Sequence, residues 1–274
     1  MRKLMMFLMA GILPLLVHGQ ELKEEIGAKP HKKIKETFYF SWGYNGEWYT
    51  NSDIKVDQPS LNNNYTFVNV NGHDHKGWSD GIFNKAVTIP QYNYRLGYFF
   101  NDEKGYGIEI NFDHTKFIVS EPQAAHVKGM LHGEKVDTTV NFQESNGFYY
   151  YLNNGANFFL INFVKRWHLF ATENQNIKID ALGKIGVGPV VPHVQNMLFG
   201  KENASGFQYG GWNTGIEGTI KVILYNWGFI EYSNKLDYAR YSNLAVYQGT
   251  AKQAFGTYEM VLSLGITIPK KVKG

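Results

Sequence analysis

The chain has 274 residues, 16% of them aromatic, with 29 glycines, no cysteine and a formal net charge of +3. Without cysteine there are no disulfides and no thiolate metal sites, and so small a charge supplies no basic field for nucleic acid. Beyond the N-terminus no stretch of about 18 apolar residues occurs, which argues against helical membrane spans, and the length suits one large β domain.

Residues 1–19 begin with Arg2 and Lys3, continue through an apolar run from Leu4 to Val17 and reach the small Gly19. That is the pattern of a secretory signal peptide, and its removal takes the net charge to +1. Residues 20–36 are charged and aperiodic, and read as a flexible periplasmic arm. From Thr37 the pattern changes to a period of two, the signature of a strand. In 37–49, Phe38, Phe40, Trp42 and Tyr44 share one face, while Tyr39, Ser41, Gly43, Asn45 and Glu47 share the other. A long polar stretch over about 50–90 follows, and LNNNY and NGHDHKGWSDG within it have loop composition.

Residues 92–100 set Tyr92, Tyr94, Leu96, Tyr98 and Phe100 against Asn93, Arg95, Gly97 and Phe99. The turn NDEKG leads to 106–113, where Tyr106, Ile108, Ile110 and Phe112 oppose Gly107, Glu109, Asn111 and Asp113, so the two form a hairpin. A second excursion, about 120–154, contains a segment that reads as a hairpin standing outside the barrel. Residues 156–167 are nearly all apolar, which leaves their facing open. After ATENQN, residues 177–187 set Ile177, Ile179, Ala181, Ile185 and Val187 against Lys178, Asp180, Leu182, Lys184 and Gly186.

A third loop spans 189–205. In 212–224, Trp212, Ile216, Ile220, Val222 and Leu224 oppose Asn213, Gly215, Glu217, Thr219 and Lys221. After a very short turn near Tyr225 and Asn226, Ile230, Tyr232, Leu236 and Tyr238 oppose Glu231, Ser233, Lys235 and Asp237. A fourth loop is expected over 242–253. The last strand, 258–268, carries Tyr258, Met260, Leu262, Leu264, Ile266 and Ile268 on a face without charge, against Glu259, Val261, Ser263, Gly265 and Thr267. Its length matches the roughly 9–11 residues of a tilted transmembrane strand.

Eight such strands with connections alternating long and short predict an all-β fold, an eight-stranded antiparallel transmembrane β-barrel over 37–269 with long extracellular loops and a basic tail at 270–274. Bare backbone amides cannot be left in lipid, so the sheet must close. Trp42, Tyr44, Tyr92, Trp212, Trp227, Tyr238 and Tyr258 are expected to form the interfacial aromatic girdle. The polar faces meet inside as a lumen charge network of Glu47, Arg95, Glu109, Asp113, Lys184, Glu217, Lys221, Glu231, Lys235, Asp237 and Glu259. A soluble secreted barrel would alternate as well, with its apolar face inward. Eight faces of large side chains would overfill so narrow an interior, which favours the membrane reading.

In strand number and loop asymmetry the chain resembles the small OmpA/OmpX-type outer-membrane barrels of Gram-negative bacteria. The resemblance covers about 37–268, involves no diagnostic motif, and implies a bacterial outer-membrane location and contact with outer-membrane lipids. It implies no particular activity. Arg240, Tyr241, Ser242 and Asn243 also look like part of the lipid A deacylase motif, in which a histidine precedes the serine by two residues. Here that position is Arg240, whose guanidinium cannot take the serine proton, so Glu259 completes no triad and no catalytic residues are assigned.

His73, Asp74 and His75 lack a further ligand at a recognised spacing, so no metal site is assigned. No cofactor and no nucleic-acid partner are expected, and the extracellular ligand is unknown from sequence. The functional expectation is a surface or membrane-integrity protein with a sealed polar lumen and recognition loops at 50–90 and 120–154. The alternatives are a lipid A modifying hydrolase and a narrow channel or hydrophobic-ligand transporter.

Overall fold

Aromatic and branched side chains at every second position favour a pleated backbone. The computed structural model describes residues 36–75 and 91–270, and eighteen strands form among them. β1 (Glu36–Tyr49) leads into β2 (Ser52–Gln58), β3 (Asn63–Val70) and the short β4 (Gly72–His73). β5 (Tyr92–Asn101) and β6 (Tyr106–Asp113) precede an excursion of β7 (Phe117–Val119), β8 (Gln123–Leu131), β9 (Glu134–Phe142) and β10 (Tyr149–Leu152). β11 (Phe158–Ala171) and β12 (Ile177–Val190) are followed by β13 (His193–Leu198), β14 (Lys201–Glu202) and β15 (Gly206–Phe207). β16 (Gly211–Leu224), β17 (Gly228–Val246) and β18 (Gly249–Lys270) end the chain. The signal segment, nearly all of the arm, residues 76–90 and residues 271–274 of the tail lie outside the described residues.

Eight strands close a ring. β1, β5, β6, β11, β12, β16, β17 and β18 pair antiparallel in that order, and β18 returns to β1 with Glu36 opposite Lys270. These are the eight strands expected from the sequence, seven from their alternation and β11 from its apolar run. The outward face is apolar: Ile161, Ile185, Val187, Ile216, Leu262 and Leu264 are each more than half exposed, whereas the eleven charged residues named above are buried. The soluble alternative, with its apolar face inward, is thereby overturned. From Tyr258 to Ile268 the strand climbs ten residues at about 3.3 Å each, and a tilt of about 40° leaves a band about 25 Å tall.

The fourth connection differs from expectation. β17 and β18 run on past the band as one hairpin, paired up to Val246 and Gly249, with only Tyr247 and Gln248 between them. The first excursion is also strand rather than loop in its described part. β18 pairs with β2, β2 with β3, β3 with β8 and β8 with β9, continuing the barrel wall away from the membrane.

The reason is a change of chemistry along the same pleat. Above Tyr258 the inward residues become apolar, as at Phe255 and Ala251, and the outward ones polar, as at Lys252. Ile54, Val56, Tyr65, Phe67, Val127, Phe142 and Tyr150 join Phe255 in a large buried cluster inside this extension. Water on the outside and a hydrophobic core on the inside stabilise it as they would a soluble sheet. The facing of β11 is settled as well: Phe158, Leu160, Asn162, Val164 and Arg166 point inward, and Phe159, Ile161 and Phe163 outward.

Candidate functional site: a charged lumen between two apolar clusters

Three layers fill the barrel interior. Near the short turns Tyr39, Phe99, Val164, Leu182, Ile223 and Phe229 form an apolar floor. Gly97 faces Tyr39 at a distance where any β-carbon would collide with the phenol ring, so only glycine lets that ring cross the lumen. Lys221 rests on the floor, its Nζ 3.9 Å from the Tyr39 ring and 4.0 Å from the Phe229 ring, and pairs with Glu231 at 3.1 Å. Below, Arg166 lies over Phe99 and bonds Asp102 at 3.0 Å.

The middle layer is ionic. Arg95 donates to both oxygens of Glu217 at 2.5 and 2.7 Å and lies 3.6 Å from Glu109. Lys184 bridges Glu109 at 2.8 Å and Glu217 at 3.1 Å, and the Tyr39 hydroxyl donates to Glu109 at 2.7 Å. Here charges balance, and each carboxylate has two or more donors, which is the condition for burying an ion pair.

The layer nearest the long excursions does not balance. Asp113, Asp237 at 3.1 Å and Glu259 at 3.3 Å converge on the single ammonium of Lys235. Glu47 stands directly opposite Glu259 in the register, held by the amides of Asn45 at 2.5 Å and Gln91. Of the eleven network positions four are basic and seven acidic, and the surplus carboxylates gather at this end. Above them the cluster around Phe117, Phe255 and Tyr241 covers the lumen.

His73, Asp74 and His75 are drawn into this cover. Asp74 accepts the Glu47 backbone N–H at 2.8 Å, His75 N–H donates to Gln91 at 3.0 Å, and His73 contacts Ser120 at 3.2 Å. Asn45, Gln91, Asn93, Asn111 and Asn162 also take part in the buried polar fabric. Sequence reasoning passed over them because it sought charges, although all but Gln91 stand at alternating positions within strands. Arg166 was hidden by the unassigned facing of β11.

The girdle residues divide by height. Trp212 packs on Tyr238 at 5.8 Å, and Tyr258 on Trp48 at 5.6 Å, at the upper edge of the band, where Tyr44 faces Tyr92 across β1 and β5. Trp227 borders a short turn at the lower edge. Trp42 lies opposite Leu264, midway along the band, rather than at an interface. Arg240 points outward and Glu259 inward, so the structure does not bring the deacylase-like positions together.

On the outer surface of the extension one cross-strand row reads Lys252, Lys55, Thr66, Lys128 and Asp137. The three lysines are exposed, and no ion pair among the described residues engages them. Nearby acids are occupied: Asp137 by His126 at 3.3 Å, Asp57 by Asn64 at 3.3 Å and Asp53 by the Asn69 N–H at 2.9 Å.

A closed eight-stranded ring with a polar interior and an apolar outer band defines the class: an antiparallel transmembrane β-barrel of the outer-membrane type. Among solved structures the chain is similar to Ail, the attachment invasion locus protein of Yersinia pestis, in complex with the heparin analogue sucrose octasulfate. That match has 14% identity and a TM-score of 0.32, and covers 86% of this chain and 100% of that one. It is also similar to the outer membrane protein OprG from Pseudomonas aeruginosa, at 9% identity, 87% and 98% coverage and a TM-score of 0.34. Neisserial surface protein A matches at 9% identity, 85% and 97% coverage and a TM-score of 0.33. No family model matches the chain, and no curated protein does.

Proposed function

We propose that the protein is a surface protein of the bacterial outer membrane, a sealed barrel that anchors a rigid extracellular sheet for recognition. The observation that supports this reading is the pair of buried apolar clusters, one on either side of the charged layers. A channel or transporter needs a wet path, and an eight-stranded barrel is only wide enough to be filled by its own side chains. A hydrolase needs a base beside a nucleophile, and Arg240 supplies none.

The recognition surface in this reading is the row of Lys55, Lys128 and Lys252. Like charges directly opposite, as at Lys55 and Lys252, destabilise a sheet unless an anion answers them. Neighbouring strands are about 4.8 Å apart, so the row is suited to a linear saccharide bearing several sulfates or phosphates. The test is titration of the micelle-embedded protein with heparin over a range of salt. Wild type should bind with a steep salt dependence, and the triple variant Lys55→Gln, Lys128→Gln, Lys252→Gln should bind weakly with a shallow one. Equal binding by the two proteins would remove the saccharide assignment, and stepwise conductance in planar bilayers would remove the sealed-barrel reading itself.

A further inference from the structure

The outward face of β17 is apolar through the membrane band except at Asn234. In the register Asn234 stands between Gly218 of β16 and Met260 of β18, and Met260 is two residues inside Tyr258. The side chain therefore lies within the hydrocarbon layer. Tyr258 and Tyr232 both donate their hydroxyls to Asn234 Oδ1, at 2.5 and 3.2 Å. Asn234 Nδ2 has no acceptor among the described residues. An amide facing lipid without a partner is costly, because nothing in the bilayer core can accept its protons. Beside it, Gly218 leaves open space where a side chain would stand, and the next position across, Gly183, is covered by the Trp167 ring, which borders that space.

We propose that a second copy of this chain docks on this wall, with β16 and β17 of the two copies facing each other across a two-fold axis along the membrane normal. The two tyrosine oxygens have given their protons to Asn234 and keep unshared pairs, so each cluster holds a spare donor next to spare acceptors. A two-fold axis brings the spare amide of one copy to the tyrosine oxygens of the other, which is the self-complementarity an isologous interface requires. The open position at Gly218, next to Asn234, lets the two walls approach closely there, as small residues do at other intramembrane contacts. An acyl chain would fill the gap at Gly218 but brings no acceptor to this depth. The wall formed by β5 and β6, with Leu96, Ile108 and Ile110 outward, carries no such amide.

The absence of cysteine allows a clean test. Single variants Ile220→Cys, on the proposed wall, and Ile110→Cys, on the β5 and β6 wall, are treated with a bifunctional maleimide in native outer membranes. Ile220→Cys should give a cross-linked dimer and Ile110→Cys should not. Adding Asn234→Leu to Ile220→Cys should abolish the dimer band while heat-modifiable gel mobility shows the barrel still folded. Equal cross-linking at both walls, no dimer at either, or a dimer that survives Asn234→Leu would overturn the proposal.

Discussion

At the scale of single residues, the lumen charges are not interchangeable members of a network. Among the described residues Lys235 is the one cation paired with Asp113, Asp237 and Glu259. Lys235→Met should cost about 3–5 kcal/mol, because it leaves buried carboxylates without their counter-charge. Glu259→Gln should cost less than about 1 kcal/mol, the order of one neutral hydrogen bond, since it relieves a local surplus. Denaturant titration of the protein refolded into bilayers measures both, and equal losses would contradict the surplus. On the outer face, Leu262→Lys places an ammonium in hydrocarbon, for about 2–4 kcal/mol near the midplane. Its neighbour Ser263 points inward and donates to Asn93 at 3.0 Å, so Ser263→Ala should lose only about 1 kcal/mol.

At the scale of elements, the β8–β9 hairpin is the part of the extension with least cover. Both faces of β9 are largely exposed from Glu134 to Asn141, and among the described strands it pairs only with β8. β2 and β3 are by contrast paired on both sides, and their inward residues are buried. Trypsin added to intact cells should therefore cut at Lys135, beside the hairpin tip, before it cuts at Lys55. Lys104, in the short turn between β5 and β6, should be spared. Mass spectrometry of the released peptides reads this, and cleavage at Lys104 from outside would reverse the orientation of the barrel.

At the scale of the whole molecule, two solvents meet one continuous wall, and the two halves should fail separately. The extension buries phenols: Tyr149, whose hydroxyl donates to Glu202 at 2.8 Å, has its pKa pushed up by burial and by that carboxylate to about 12. Burial raises Tyr65 and Tyr150 as well. A phenol whose pKa is higher in the folded state contributes stability that is complete below its unfolded value of about 10 and lost as pH climbs through the folded value. Raising pH from 10 to 12 should thus dissolve the near-ultraviolet circular dichroism of the extension while the barrel keeps its unheated gel mobility. Simultaneous loss of both signals would mean that the two halves form one cooperative unit.

How much of this was legible beforehand follows from what each half has for a solvent. Lipid demands an unbroken apolar face at every second position, a local requirement, so seven of the eight ring strands and the inward direction of Glu109, Glu217 or Lys235 could be read from alternation alone. In the extension the demand is inverted, and alternations such as Ile54 and Val56 against Asp53, Lys55 and Asp57 were present but passed for polar loop. β11 stayed ambiguous because Phe158 joins the upper core, Leu160 is buried and Val164 belongs to the floor, which makes both its faces apolar. Asn234 could be seen as a residue but not as an exposed amide without an acceptor. Outside β11, the sequence by itself determined which residues face lipid, since that depends only on the two-residue pleat of each strand. Only the tertiary structure decided that Arg95 meets Glu217, 122 residues away, and that three carboxylates share Lys235. Those neighbours are created by ring closure and register, which no single strand contains.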